Sequence, residues 1–168
     1  DNYFYDKDGK YFYYPHGPLA RTEIGDKQVQ AQDYAYTIHD WIKGVNSNTL
    51  QQNRDMGSDG QDVSTNLNRN IGTDAFGYTL SYYSTDYVPV VSKPLNDQFL
   101  AVEAAPFSDP TYDLFNGNIA RMVTALTDAT QTPMAVQGNA YKYDQLNRIR
   151  HANSFRGTGV VSSNSWAL

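Results

Sequence analysis

Tyr141-Lys142-Tyr143-Asp144-Gln145-Leu146-Asn147-Arg148-Ile149 is the stretch that decides the fold. Its two tyrosines stand at i and i+2, so on a strand they point to the same face. Asp144 can accept backbone N–H groups a few residues on and start a turn. Asn147 tolerates the left-handed backbone that such a turn needs. Arg148 and Ile149 then begin a returning strand. The nine residues predict one β-hairpin.

Three further stretches fit the same frame. Tyr3-Phe4-Tyr5-Asp6-Lys7-Asp8-Gly9-Lys10 repeats it with Gly9 at the turn. Tyr11-Phe12-Tyr13-Tyr14-Pro15-His16-Gly17-Pro18 repeats it with Gly17 there. Tyr34-Ala35-Tyr36-Thr37-Ile38-His39-Asp40-Trp41 carries Thr37 in place of the first Asp. The structural positions of the repeat are therefore Tyr3, Tyr5, Asp6, Gly9, Tyr11, Tyr13, Gly17, Tyr34, Tyr36, Tyr141, Tyr143, Asp144, Asn147 and Arg148. A hairpin of this kind cannot bury its aromatic face alone, and stacking several edge to edge makes a continuous sheet.

The composition agrees with this. Of 168 residues, 14 are Tyr, 16 Asp, 14 Asn and 12 Gly, against 2 Glu. Asp, Asn and Gly favour turns over helix interiors, and Tyr favours the half-buried face of a sheet. The counts argue against a helical bundle, a coiled coil and a doubly wound α/β protein. The net charge is −5 and the basic residues are scattered, which argues against a nucleic-acid surface. Cysteine is absent, so there are no disulfides and no thiolate sites. No apolar run approaches the ~20 residues of a membrane span.

Along the chain, residues 1–45 read as repeat hairpins, with strands at 3–5, 11–14, 19–24, 29–38 and 41–45. Residues 46–74 form a long polar loop or insertion, with wide gaps between apolar residues and little structure expected of its own. Residues 75–150 return to hairpins, with strands at 76–83, 119–126 and around 141–149. One short helix is expected over 96–105, capped by Asn96 or Asp97 and stopped by Pro106, with a strand as the alternative there. Beyond Asn153 the pattern fades, and 151–168 reads as an irregular tail. The chain starts without Met inside a strand-like stretch, which predicts a piece of a longer protein. The fold class expected is all-β, an antiparallel hairpin meander with a long polar loop.

Tyr-x-Tyr-Asp-x-x-(Gly or Asn)-(Lys or Arg) resembles the YD repeat of the RHS (rearrangement hotspot) proteins. Residues 141–149 are a near-consensus copy with Asn for Gly. The phrases Tyr14-Pro15-His16-Gly17-Pro18-Leu19-Ala20-Arg21, Asp33-Tyr34-Ala35-Tyr36-Thr37-Ile38 and Leu114-Phe115-Asn116-Gly117-Asn118-Ile119 are similar to those of large RHS-type proteins of Bacteroidota. The resemblance covers most of residues 1–150 and is weak over 46–74. It implies a strip of hairpins wound into a spiral β-shell, in polymorphic toxin systems around a C-terminal toxic domain and in adhesion proteins as a surface module. It further implies a secreted or cell-surface bacterial location and, as partners, neighbouring YD repeats of one parent protein or a secretion complex. The self-cleaving segment of that family carries paired Asp-Pro-x-Gly motifs. Here Thr111-Tyr112 follow Asp109-Pro110, so no autoproteolysis is assigned.

Other chemistry is weaker. Tyrosine faces can stack on sugars, but the preferred reading is a packing ladder of the sheet. An adhesin that contacts glycan or protein through the Tyr-rich sheet or the 46–74 loop is the second expectation. Asp55, Asp59 and Asp62, with Gly57 and Gly60 between them, offer oxygens for Ca²⁺, but the spacing fits neither an EF-hand nor an RTX repeat, and a polar loop is preferred. His39-Asp40 lacks a nucleophile elbow and any partner of predictable geometry. His16 and His151 sit in other units, and Glu23 and Glu103 lie far apart. No catalytic residue, cofactor or metal ligand is assigned, and the chain is read as non-catalytic.

Overall fold

The structure, a computed structural model, describes residues 6–89, 99, 109–157 and 166–167. It is all-β. Among the described residues nine strands run in the order β1 (Gly9–Tyr13), β2 (Leu19–Ile24), β3 (Gln30–Tyr36), β4 (Ile42–Val45), β5 (Phe76–Ser81), β6 (Arg121–Leu126), β7 (Gln137–Tyr143), β8 (Ile149–Gly157) and β9 (Trp166–Ala167). Each pairs antiparallel with the next, so the sheet is an open meander in chain order. Helix is confined to single 3-10 turns at Gln52–Arg54 and Pro110–Tyr112 among the described residues. The strand expected at 3–5 and the helix expected over 96–105 lie outside the described residues, apart from Phe99.

The repeat is visible as backbone geometry. In each of three hairpins the turn-starting residue donates its N–H to the carbonyl four residues on and accepts the N–H three residues on. These pairs are Tyr14 with Pro18 and Gly17 (2.8 and 2.9 Å), Thr37 with Trp41 and Asp40 (2.8 and 3.1 Å), and Asp144 with Arg148 and Asn147 (2.9 and 3.0 Å). The third residue on has φ of +117° at Gly17, +59° at Asp40 and +59° at Asn147, where Gly and Asn meet the least steric penalty. All three hairpins also carry a register shift just before the turn, at Phe12/Tyr13, Ala35/Tyr36 and Lys142/Tyr143. Such bulges bend a strand and sharpen its twist. The Asp144 Oδ1 accepts the N–H groups of Leu146 and Arg148 at 2.9 and 3.0 Å. Thr37 Oγ1 makes the same two contacts, with His39 and Trp41, at 3.3 Å. A hydroxyl thus replaces the carboxylate where the motif lacks its Asp.

The two faces of the sheet differ. One cross-strand row reads Ala35, Gly44, Thr79, Val123, Gly138, Phe155 over six strands, and every member is buried. The neighbouring row on the other face reads Tyr34, Val45, Tyr78, Thr124, Gln137, Arg156, and all but Val45 are half-buried or exposed. Small residues on the first face let overlying segments approach the backbone. A Cβ on Gly77 would overlap the Ser47 carbonyl oxygen, and one on Gly44 would stand 3.2 Å from Phe99 Cε2. Tyr112, Ala120, Val123, Ala125, Val136, Ala140 and Phe155 form the apolar cluster under these segments. The tyrosines of the repeat are therefore not the main core. Tyr11 and Tyr13 are 61% and 65% exposed, and Tyr34, Tyr36, Tyr141 and Tyr143 are half-buried.

Two expectations are corrected. The 46–74 stretch forms no strand, but it is closely packed: Asn46, Ser47, Asn48, Thr49, Arg54, Asp59, Ile71 and Asp74 are all buried. Polar side chains hold it in place of an apolar core. Asn46, for instance, donates to the Phe76 carbonyl at 2.7 Å and accepts the Asp33 N–H at 2.9 Å. The tail expected from residue 151 is strand as far as Gly157, because β8 pairs along the whole of β7. Its exposed polar side chains hide that pairing from a hydrophobic pattern.

Candidate functional site

Each segment crossing the covered face is pinned by a buried cation on a returning strand. On β4, Lys43 Nζ reaches Asp86 Oδ1 at 2.7 Å and Ser81 Oγ at 2.9 Å, while Asp86 Oδ2 accepts the Tyr82 N–H at 2.8 Å. On β6, Arg121 Nη2 donates to the Asp109 carbonyl at 2.6 Å and to Asp113 Oδ1 at 2.7 Å. Burial pushes the Asp113 carboxyl up, but the Ser84 N–H and Arg121 together bring it below its ordinary value. On β2, Arg21 donates to Asp33 Oδ2 on β3 and to Asp59 Oδ1 in the 46–74 loop, the latter at 2.5 Å. Glu23 lies 3.5 Å from Arg21 Nε.

The Arg21 group is the most charged place on the covered face, and the pairing of β3 creates it. β3 pairs with β2 over Gln30–Asp33 and with β4 over Tyr34–Tyr36, so β2 and β4 part company at Asp33. The loop enters that fork. Asp55 accepts the N–H groups of Gly57 and Asp59 at 2.8 and 2.7 Å, a turn that places both carboxylates beside Asp33. Carboxylate oxygens of Asp33, Asp55 and Asp59 lie within 4.8 Å of one another. A Cβ on Gly57 would overlap both Arg21 Nη1 and Asp33 Oδ2, so only glycine lets the turn close over the pair.

Burial dominates the electrostatics here. It opposes the Arg21 charge, yet the hydrogen bonds with Asp59 and Asp33 outweigh it and raise the guanidinium pKa. It pushes Asp33 and Asp55 up from 3.8 against the pull of Arg21 and of backbone N–H groups. Asp59 is pushed up to about 6, first by burial and further by Asp55 and Asp33, with Arg21 opposing. Asp74 is pushed up to about 8 by burial and then by the charges of Asp55, Asp59 and Asp33. Neither carboxylate oxygen of Asp74 has a hydrogen-bond partner.

A second feature is a cleft of about 600 Å³ at the turn end of the first two hairpins. Tyr14, His16, Tyr36, Tyr83 and Tyr87 line it, with Thr37, Met56, Thr85 and Asp86 among the rest of its wall. Tyr14 stacks on His16 at 5.3 Å and meets Tyr36 edge-on at 6.4 Å, while its hydroxyl donates to the Tyr34 carbonyl at 2.7 Å.

Of the residues singled out from sequence, Asp55 and Asp59 come together, whereas Asp62 is exposed and outside the group. Gly17, Asp144, Asn147 and Arg148 lie in or beside turns, whereas Gly9, expected at a turn after Asp6, is the first residue of β1 and pairs with Ile24 at an ordinary strand φ; Tyr3 and Tyr5 fall outside the described residues. His39 tilts against Trp41 at 5.0 Å, and His16 belongs to the cleft. The pattern reading missed Arg21, Asp33 and Asp74. Arg21 and Asp33 occupy inward positions of otherwise alternating strands, which was the available signal. Asp74 had none. No helix of the described residues is long and apolar enough to cross a membrane. No family model, curated protein or solved structure matches the chain.

Proposed function

We propose that this chain is a non-catalytic wall segment of a secreted or surface YD-repeat shell, whose work is to pair with neighbouring hairpins and enclose a C-terminal cargo. The observation that carries the reading is the turn shared by the hairpins at 14–18, 37–41 and 144–148, each with the same two backbone bonds, the same left-handed position and the same preceding bulge. A bulge recurring at the same place in the three hairpins suits a curved strip. The Tyr-x-Tyr-Asp wording of residues 141–148 is the link to the RHS proteins. Among the described residues β1 pairs only with β2 and β9 only with β8, which leaves both ends of the strip able to accept strands.

Hydrogen exchange tests this. The 168-residue chain is compared with a longer product of the same gene that carries the flanking sequence. The β1 amides not bonded to β2 exchange quickly in the short chain and are expected to be protected in the longer one. Equal, fast exchange in both would overturn the shell reading.

The aromatic cleft favours a second reading, a glycan-binding module. Rings can cover the apolar face of a sugar while Thr85 and the Tyr36 and Tyr83 hydroxyls meet its edge. Titration with neutral oligosaccharides, followed by tyrosine fluorescence, is expected to saturate if the cleft serves this role, and a Tyr83→Ala variant is expected to abolish the response. No response from wild type would remove this reading.

A further inference from the structure

The cleft at the turn end of the first two hairpins has aromatic walls, and several of its polar atoms are already spent inside the fold. Asp86 bonds Lys43 through Oδ1 and the Tyr82 N–H through Oδ2. Thr37 Oγ1 accepts the N–H groups of His39 and Trp41. The Tyr14 hydroxyl donates to the Tyr34 carbonyl at 2.7 Å. What the wall still offers is mostly ring surface, from Tyr14, His16, Tyr36, Tyr83 and Tyr87. We propose that this cleft is an aromatic cage for a trimethylammonium group.

The ring geometry suits that group. The Tyr14 and Tyr36 planes meet at 84° with centroids 6.4 Å apart. Rings at a right angle make the corner of a box, which fits a compact, near-spherical group, whereas a sugar lies flat along one plane. His16 stacks behind Tyr14 at 5.3 Å and Phe115 behind Tyr83 at 4.8 Å, so each of these tyrosines is held by a ring on one side. Tyr87 belongs to the same enclosure: burial pushes its phenol up, and the nearby Tyr14 phenol adds to that. The π face of a tyrosine attracts a cation within about 6 Å of its centroid, and more strongly as the cation loses water. A trimethylammonium group has no N–H and needs no acceptor, so a wall whose acceptors are occupied is no obstacle to it. A primary ammonium would lose its hydrogen bonds to water there without replacement. Among the described residues no lysine or arginine lines the cleft, and the net charge of −5 favours the approach of a cation. The volume of about 600 Å³ leaves room for the rest of the ligand. The proposal shares with the glycan reading only the premise that the cleft is a binding site, and names a different ligand.

Titration of the 168-residue chain with choline chloride, followed by tyrosine fluorescence and calorimetry, tests the proposal. Its control is dimethylbutanol, the uncharged isostere of choline with a tert-butyl group in place of the trimethylammonium. Choline is expected to bind with Kd of roughly 10⁻³ M, and dimethylbutanol at least about tenfold more weakly. Tyr36→Phe keeps the ring and should stay within about threefold of wild type, whereas Tyr36→Leu should bind choline at least about fivefold more weakly. Should Tyr36→Leu fail to fold, Tyr87→Leu serves the same comparison. Binding to phosphatidylcholine vesicles that choline competes away would assign the group to a lipid headgroup. Choline binding without vesicle binding would assign it to a free small molecule, and either result supports the cage. No saturable response at about 10 mM choline, equal affinity for dimethylbutanol, or unchanged affinity in the leucine variant would overturn it. Saturation by neutral oligosaccharides with no response to choline would overturn the cage and leave the glycan reading standing.

Discussion

Replacing Asp86 with alanine removes the partner of a lysine that has almost no contact with water. Lys43 is 3% exposed and Asp86 6%, and the ammonium spends one hydrogen bond on Asp86 and one on Ser81. Removing one member of a buried pair typically costs about 3–5 kcal/mol, because the remaining charge stays buried. Asp86 also accepts the Tyr82 N–H at 2.8 Å, whose loss adds about 1 kcal/mol. The expected cost of Asp86→Ala is therefore about 4–6 kcal/mol, a large part of the roughly 5–15 kcal/mol that holds a domain together. Lys43→Met strands the carboxylate instead and is expected to cost about 3–5 kcal/mol. The double variant has no unpaired charge left, so it should be more stable than the sum of the single effects allows by about 2 kcal/mol or more. Urea unfolding followed by tryptophan fluorescence reads this locally, since Trp41 lies 4.8 Å from the Tyr82 ring. If Asp86→Ala does not fold, Asp86→Asn keeps an acceptor for Tyr82 and should fall between it and wild type. Single costs below about 1 kcal/mol, or strict additivity in the double variant, would refute the idea that buried cations pin the crossing segments.

The remaining predictions concern other parts of the covered face and the turns. Gly77→Ala should destabilise by about 1–3 kcal/mol or more, because its Cβ meets the Ser47 backbone and not a movable side chain; a urea midpoint unchanged from wild type would count against the packing described. Stability should fall as pH rises from about 4 to 8, since Asp59 and Asp74 keep their protons in the folded chain above the pH at which the unfolded chain has lost them. Between about pH 6 and 8 the slope should approach 1.4 kcal/mol per pH unit, and Asp74→Asn should flatten it; a stability that rises over that range would contradict the burial of Asp74. Asp144→Ala should speed amide exchange at Leu146 and Arg148, and Asp128→Ala at Thr130 and Thr132, because each carboxylate holds the N–H groups two and four residues on. Unchanged exchange in both would show the side chains to be dispensable for the turn.

Much of the fold is legible in the sequence because strands and turns have local causes. The β2 strand stands where alternation and the flanking Gly17-Pro18 and Gly25-Asp26 place it, at Leu19–Ile24. The unit at 141–149 forms the hairpin that Asp144 and Asn147 dictate. A fourth turn of the same kind, Asp128 with Thr132 and Gln131, escaped notice because no Tyr-x-Tyr precedes it, although its backbone bonds of 2.9 Å and its left-handed Gln131 match the others. The acidic cluster around Arg21 was only half legible. Asp55 and Asp59 stand out in a polar stretch, but Asp33 is distant in sequence and meets them only because β3 changes partners at residue 33. That is a tertiary event with no local signature.

The Asp-rich composition now divides into two physical roles, and the division explains why the chain needs so little apolar core. At Asp128, exposed, and Asp144, half-buried, the carboxylate works on its own backbone, with its pKa held below the ordinary value by nearby N–H and hydroxyl or guanidinium groups. At Asp59, Asp86 and Asp113 the carboxylate reaches across to Arg21, Lys43 or Arg121 on a strand and holds a crossing segment against the sheet. The row Ala35, Gly44, Thr79, Val123 and Gly138 buries too little side chain to hold those segments by hydrophobic contact alone, since alanine and glycine remove few methylene groups from water. Glutamate would place its charge one methylene further out, too far for a segment that lies on glycine. Short acidic side chains over a small-residue face are thus one design: close approach makes the polar bonds possible, and the polar bonds hold the close approach.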